Sequence, residues 1–261
     1  MKLKKVGLSI LLGALCVPFT SAIANDDVKV KVSTGFDYSK GDYGHSQDTE
    51  IWYYPITAKA TSGNWTAKVT VPYIRIKGPG AVVGGGGGGV IQSGTSNVTT
   101  ESGLGDIVAG LTYTYDLRQY DALIDLTGKV KLPTANENRG LGTGEADYTA
   151  KVDVTKFLGK AYLFAGAGRK FVGSSTQFQL NDIWLANVGT GYQISPKTGI
   201  GISYDYREAA GTGKNPSEAT AYLTYKLTPD LSLQAYGVAG FSDGSPNKGI
   251  GMQIGYKFPA H

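Results

Sequence analysis

The stretch Glu145-Ala146-Asp147-Tyr148-Thr149-Ala150-Lys151-Val152-Asp153-Val154-Thr155 is where the fold becomes legible. Ala146, Tyr148, Ala150, Val152 and Val154 alternate with Glu145, Asp147, Thr149, Lys151, Asp153 and Thr155, so every charge falls on one side of an extended chain. Successive side chains of a strand point to opposite faces, and a two-residue period therefore predicts a β-strand with one apolar and one polar face. Outward from this segment the dyad recurs. Val28, Val30, Val32, Thr34 and Phe36 oppose Lys29, Lys31, Ser33, Gly35 and Asp37. Ile124, Leu126, Val130 and Leu132 oppose Asp125, Thr127, Lys129 and Lys131, and Ile200, Ile202, Tyr204 and Tyr206 oppose Gly201, Ser203, Asp205 and Arg207. Alternation by itself suits a soluble sandwich with its apolar face inward as well as a barrel with its apolar face turned to lipid.

The connections separate the two. Short ones fall at Ser62 to Asn64, Arg118 to Asp121, Leu158 to Lys160, Ser195 to Lys197 and Thr228 to Asp230. Long ones fall between them, at Ser39 to Asp48, Gly78 to Ser102, Ala135 to Gly144, Gly173 to Asn181, Ala209 to Ser217 and Ser242 to Lys248. Outer-membrane barrels pair tight periplasmic turns with longer extracellular loops, and strands of about 9 to 12 residues cross a bilayer when tilted. The strict alternation predicts an all-β fold: a transmembrane antiparallel up-and-down β-barrel of about 12 strands, with both termini in the periplasm.

The amino terminus gives the route. Lys2, Lys4 and Lys5 precede an apolar run from Val6 to Phe19 and a small-residue site at Ala22-Ile23-Ala24, which reads as a secretory signal peptide over 1–24 cleaved near Ala24 after Sec-type export. The mature barrel is then 25–261. Cys16 is the single cysteine and lies inside the signal, behind Leu15 where a lipoprotein would want a small residue, so the mature chain has neither disulfides nor thiol chemistry. The signal carries three lysines of the formal +4 and no acid, leaving a mature chain near +1 in which no nucleic-acid surface is implied. With 38 Gly, 17 Tyr and a mean hydropathy of −0.14, no later stretch is apolar enough for a spanning helix.

The carboxyl end carries a second export mark. Ile250, Met252, Ile254, Tyr256 and Phe258 alternate with Gly251, Gln253, Gly255 and Lys257, resembling the terminal strand by which the barrel-assembly machinery recognises its clients, although Pro259-Ala260-His261 extends past it. Aromatic residues gather near strand ends, among them Trp52, Tyr53, Tyr54, Trp65, Tyr73, Tyr113, Trp184, Tyr192 and Tyr225, as interfacial girdles require.

Chemistry is sparse. The only histidines of the mature chain are His45, in the first long loop, and His261, at the terminus; they reach neither a strand serine nor each other, so neither a lipase pair nor a metal site is expected. Gly211-Thr212-Gly213-Lys214 resembles the end of a phosphate-binding loop but lacks the first glycine, the following Ser or Thr and the flanking strand and helix, and reads as a turn. No catalytic residue, cofactor or metal is expected, and the chain is not read as an enzyme.

Four further segments carry a family resemblance: Val71-Pro72-Tyr73, Ser102-Gly103-Leu104-Gly105-Asp106, Lys131-Leu132-Pro133-Thr134 and Gly140-Leu141-Gly142-Thr143-Gly144. In order and spacing they resemble an exported family labelled for the meta pathway of phenol degradation. That resemblance implies an outer-membrane transporter for aromatic or otherwise hydrophobic compounds. Read from the residues alone, the glycines let the chain turn from the long loop into a strand with Asp106 at the rim, and Pro133 ends a strand because it cannot donate to the ladder.

Function is therefore expected in the lumen. The candidate lining residues are Lys129, Lys131, Lys151, Asp106, Asp125, Asp147, Asp153, Asp205 and Arg207, a mixture of both signs. Barrels of about 8 strands are filled by side chains and those of 16 to 18 hold wide channels, so about 12 strands predicts a narrow passage for small molecules. A barrel plugged by its own ion pairs, structural or adhesive, is the alternative. The Gly84 to Gly89 run has no side chains to hold a shape and reads as a surface loop or a fold-in constriction. The partners expected are outer-membrane lipid, small solutes and the assembly machinery.

Overall fold

In a computed structural model the described residues are 28–258 except 45, 80, 84–89, 93–97, 176–178 and 212. The segment read as a signal, both histidines and the glycine run lie outside them. The strands are β1 (Lys29–Gly41), β2 (Thr49–Ser62), β3 (Trp65–Pro79), β4 (Ala81–Val83), β5 (Val90–Gln92), β6 (Val98–Leu104), β7 (Ile107–Leu117), β8 (Ala122–Leu132), β9 (Asp147–Leu158), β10 (Ala161–Phe171), β11 (Ile183–Gln193), β12 (Thr198–Arg207), β13 (Ser217–Lys226), β14 (Leu231–Gly240) and β15 (Lys248–Lys257). Apart from the β4–β5 hairpin and the step between β6 and β7, neighbours in sequence pair antiparallel, and β1 pairs with β15 from Lys31 against Lys257 to Lys40 against Lys248, so the sheet closes. Since β6 and β7 both pair with β3 and form two halves of one stave, the barrel has twelve staves. The small hairpin of β4 and β5 stands apart from it.

Short connections gather at one end of the barrel and long ones at the other, as the sequence predicts. At the turn end Gly63 adopts φ 51, a left-handed conformation that lets two residues join β2 to β3. The long connection expected from Gly78 to Ser102 is shorter than it reads, because β3 runs on to Pro79 and β6 starts at Val98. Ladder pairing beyond the apolar band extends that hairpin; its own side chains gave no period to mark it.

Faces follow the dyad through most of the barrel. Tyr148, Val152 and Val154, and likewise Ile200, Ile202 and Tyr204, are exposed on the outer wall, while Lys151, Asp153 and Asp205 turn to the partly covered inner one. Outer aromatic pairs sit near the turn end, where Trp65 meets Tyr113 at 4.8 Å between centroids and Tyr113 meets Tyr115 at 4.6 Å. Inside, directly opposed threonines bond across strands, Thr57 to Thr70 and Thr112 to Thr127, both at 2.9 Å.

Among the described residues an apolar core lies within the loop end of the barrel. Tyr43, Ile51, Ile74, Ile76, Ala135 and Leu141 pack there with Tyr53 against them. Tyr53, expected in a girdle, thus faces inward, because it shares parity with buried Ile51 rather than with Trp52 and Tyr54, which stack on the outer wall. Along the end of β3 the pattern inverts: Arg75 and Lys77 are exposed outward and Ile74 and Ile76 are buried inward. Beyond an apolar band the outer wall meets water, so polar residues can face out and apolar ones serve a folded-in loop.

Candidate functional site

The loop-end interior is built by the connection between β8 and β9. Pro133 ends β8, and residues 133–146 fold into the barrel and carry Leu141, 1 % exposed, onto Ile74. Between β6 and β7 the chain breaks step at Gly105, whose N–H donates to the Pro72 carbonyl at 2.9 Å. A Cβ there would stand 2.4 Å from Ile74 Cδ1, so only glycine permits the approach. The break turns Asp106 inward, where its carboxylate accepts from the Ala135 N–H at 3.0 Å. Thr134 Oγ1 donates to the Gly105 carbonyl at 3.1 Å and accepts from the Ile107 N–H at 2.9 Å, completing the clasp.

A charged knot closes over it. Lys131 Nζ lies 3.2 Å from Asp106 Oδ2 and 3.3 Å from Asp147 Oδ2, and it donates to Thr143 Oγ1 at 3.0 Å. Lys170 Nζ reaches the same Asp147 Oδ2 at 2.8 Å, and the Gly173 N–H donates to Asp147 Oδ1 at 3.1 Å. Lys131, Asp106 and Asp147 are 6, 0 and 3 % exposed. Charges so buried are stable only when paired, and here each is, with Asp106 Oδ2 held by the Lys131 ion pair and no hydrogen bond. At the rim of this region Tyr43 is buried, which pushes its hydroxyl up to about 12.

Deeper, the inner wall of β11 and β12 is bare backbone overlaid by rings from neighbouring strands. A Cβ on Gly191 would meet the Tyr162 ring and one on Gly201 the Tyr222 ring. The two hydroxyls bond at 2.9 Å from β10 to β13, across two intervening strands. Opposite them, Tyr236 donates to Asp37 Oδ2 at 2.6 Å. Among the other candidates named from sequence, Asp153 is paired with Lys151, Asp125 accepts from Thr114 Oγ1, Asp205 accepts from Ser203 Oγ at 3.1 Å, and Arg207 pairs with Glu218 at 2.8 Å. Lys129, on the same face of β8 as Lys131, has no carboxylate within ion-pair distance among the described residues. Lys170 and Tyr162 escaped the sequence reading because Gly166 and Gly168 blur the period of β10, and Glu218 and Tyr222 of β13 were missed with them. A tyrosine opposite in-register glycines would have been the available signal.

The four motifs quoted from the sequence therefore converge on one place: Pro72, Gly105 and Asp106, Lys131 and Thr134, Leu141 and Thr143. A family model described as "Putative MetA-pathway of phenol degradation" matches residues 28–258. The chain belongs to this family. No curated protein matches it. Among solved structures it is similar to an outer membrane channel from Pseudomonas putida, at 15% identity with a TM-score of 0.66, over 94% of this chain and 100% of that one. It is also similar to the translocator domain of the autotransporter NalP from Neisseria meningitidis, at 11% identity and TM-score 0.53, covering 89% and 88%. The NanC porin follows at 10% identity and TM-score 0.52, covering 88% and 99%. At these identities the likeness speaks to the barrel fold of this family member. Among its described residues no helix is long and apolar enough to cross a membrane, and no cluster of metal ligands occurs.

Proposed function

We propose that this family member is a passive outer-membrane channel for small molecules, and that Lys129, Lys131, Lys151, Asp106, Asp125, Asp147, Asp153, Asp205 and Arg207 line or border its lumen. The observation that carries the reading is the division of one closed sheet into an apolar outer wall and an inner wall of charges, threonines and tyrosine hydroxyls. A soluble barrel would reverse that division, because its inner wall would be the core. The turn end is then periplasmic and the loop end extracellular, and β15 is the strand presented to the assembly machinery after export and cleavage near Ala24. Solutes bearing an aromatic ring suit the Tyr162, Phe164, Tyr222 and Tyr236 surface, where rings stack or meet edge to face. They also suit the phenol-related description of the family.

The inward fold of 133–146 favours one competing reading, a barrel sealed at its loop end. Single-channel recording of refolded protein in planar bilayers decides between them. Stepwise conductance, altered by adding phenol or benzoate, is the expected result; a correctly refolded barrel that conducts nothing would establish the sealed form.

A further inference from the structure

The strand registers reveal an order in the inner-wall charges that no single strand shows. Lys257 stands directly opposite Lys31, Lys31 opposite Lys59, and Lys59 opposite Lys68. The row continues through Gly110 to Lys129 and through Thr149 to Lys170. Directly opposed residues of a sheet share a face, so this is one continuous inner row. It also climbs. Lys59 is four residues from the turn at Gly63 and Lys170 ten from the turn at Lys160, a rise of six residues, or about 20 Å along the strand at ~3.3 Å per residue.

Like charges directly opposed on neighbouring strands, roughly 5 Å apart at the Cα, are destabilising unless something compensates them. The acidic row does so only in part, Asp125 acting on Lys59 and Asp153 on Lys129. A second row runs from Asp125 to Asp153, through Gly166 and Asn187 to Asp205 and Glu218. Its carboxylates are already engaged: Asp125 by Thr114, Asp153 by Lys151, Asp205 by Ser203 and Glu218 by Arg207. On the lysine row, Lys31 passes over Gly255 to donate to the neutral Ser232 hydroxyl at 3.0 Å. Among the described residues neither Lys68 nor Lys129 has a carboxylate within ion-pair distance, and each lies in electrostatic reach of other lysines. With Lys68 and Lys129 outside ion-pair range of any described carboxylate, this stretch of the row forms a surface for a mobile anion.

We infer that Lys31, Lys68 and Lys129 form an ascending anion path on the inner wall, taking small organic anions whose recognised group is a carboxylate. This deepens the channel reading above and rests on it. Aromatic rings over the glycine wall would contact the body of such a solute while the lysines hand its charge from one strand to the next, each site binding weakly enough to release.

Reversal potentials of the mature chain in planar bilayers under a potassium chloride gradient test the path. The wild type should prefer chloride. Lys68→Gln with Lys129→Gln should lower the chloride-to-potassium permeability ratio by roughly threefold or more, the size expected for unit charges about 10 Å from a passing ion in a wet lumen. Lys68→Arg, which keeps the charge, should retain the preference, and heat-modifiable gel mobility confirms that each variant is folded. Potassium benzoate in place of chloride should still carry anion current. A wild type that conducts without anion preference, an unchanged ratio in the double variant, or failure of benzoate to carry current would overturn the path and leave the channel standing. A folded barrel that never conducts would overturn both.

Discussion

Lys129 and Lys131 stand two residues apart on one face of β8 and meet opposite environments. Lys131 is enclosed by Asp106, Asp147 and Thr143 and holds the inward loop to the wall. Lys129 faces Gly110 and Thr149 in register, with no carboxylate in ion-pair range among the described residues. The loop end of the barrel is thus a paired, packed structure, and on the wall below it Lys68 and Lys129 have no carboxylate in ion-pair range among the described residues. Natural proteins break local rules chiefly at functional positions. The contrast separates lysines that build the barrel from lysines available to a solute.

The largest effect should come from unbalancing the compensated end. Lys131→Met leaves Asp106 buried with no ion-pair partner and Asp147 with Lys170 alone, and should cost about 3–5 kcal/mol in urea unfolding of refolded protein. Lys129→Met should be neutral or slightly stabilising, since it removes like-charge repulsion. Equal costs at the two sites would erase the distinction between them. A second comparison sets outer wall against inner. Val152→Arg should destabilise by about 2–4 kcal/mol in lipid, whereas Thr220→Arg, two residues from Glu218 on the inner face of β13, should be tolerated.

Smaller effects probe how closely the inner wall is packed. Gly191→Ala drives a methyl group into the Tyr162 ring and should cost about 1–3 kcal/mol, while Gly128→Ala, with open space around its Cβ, should be silent in the same assay. The smallest is alkaline. The folded Tyr43 hydroxyl titrates near 12, above its ordinary 10, so the folded state holds the proton more tightly. Its contribution is complete below pH 10 and falls as pH rises toward 12, by about 1 kcal/mol at pH 11. Tyr43→Phe should remove that portion of the pH dependence. An unchanged alkaline profile would place the ring in water rather than in the loop-end core.

Most of the fold was legible because the bilayer imposes it residue by residue. Lipid demands an apolar side chain at every second position of a spanning strand, and Val152, Val154, Ile200 and Ile202 record that demand in the chain itself. Turn chemistry at Ser62 to Asn64 and Leu158 to Lys160 fixed the number of staves in the same local way. The reading failed where the demand lapses, at Tyr53, Ile74 and Ile76, because beyond the apolar band a strand no longer reports which face is wet.

The candidate site was legible as a list of charges and not as an arrangement. Sequence put Lys129, Lys131, Asp106 and Asp147 among the inward charges, but it could not say that Asp106 and Asp147 would both go to Lys131, since they come from different staves. Nor could it reveal that Lys31, Lys68 and Lys129, far apart in the chain, fall into one row. What the sequence determined by itself was the period, the number of strands and the sign of each face, all of which are local. What only the tertiary structure decided was the partner of each charge, because partnership depends on strand register and on a loop folding back inside the barrel, and both are set by contacts distant in sequence.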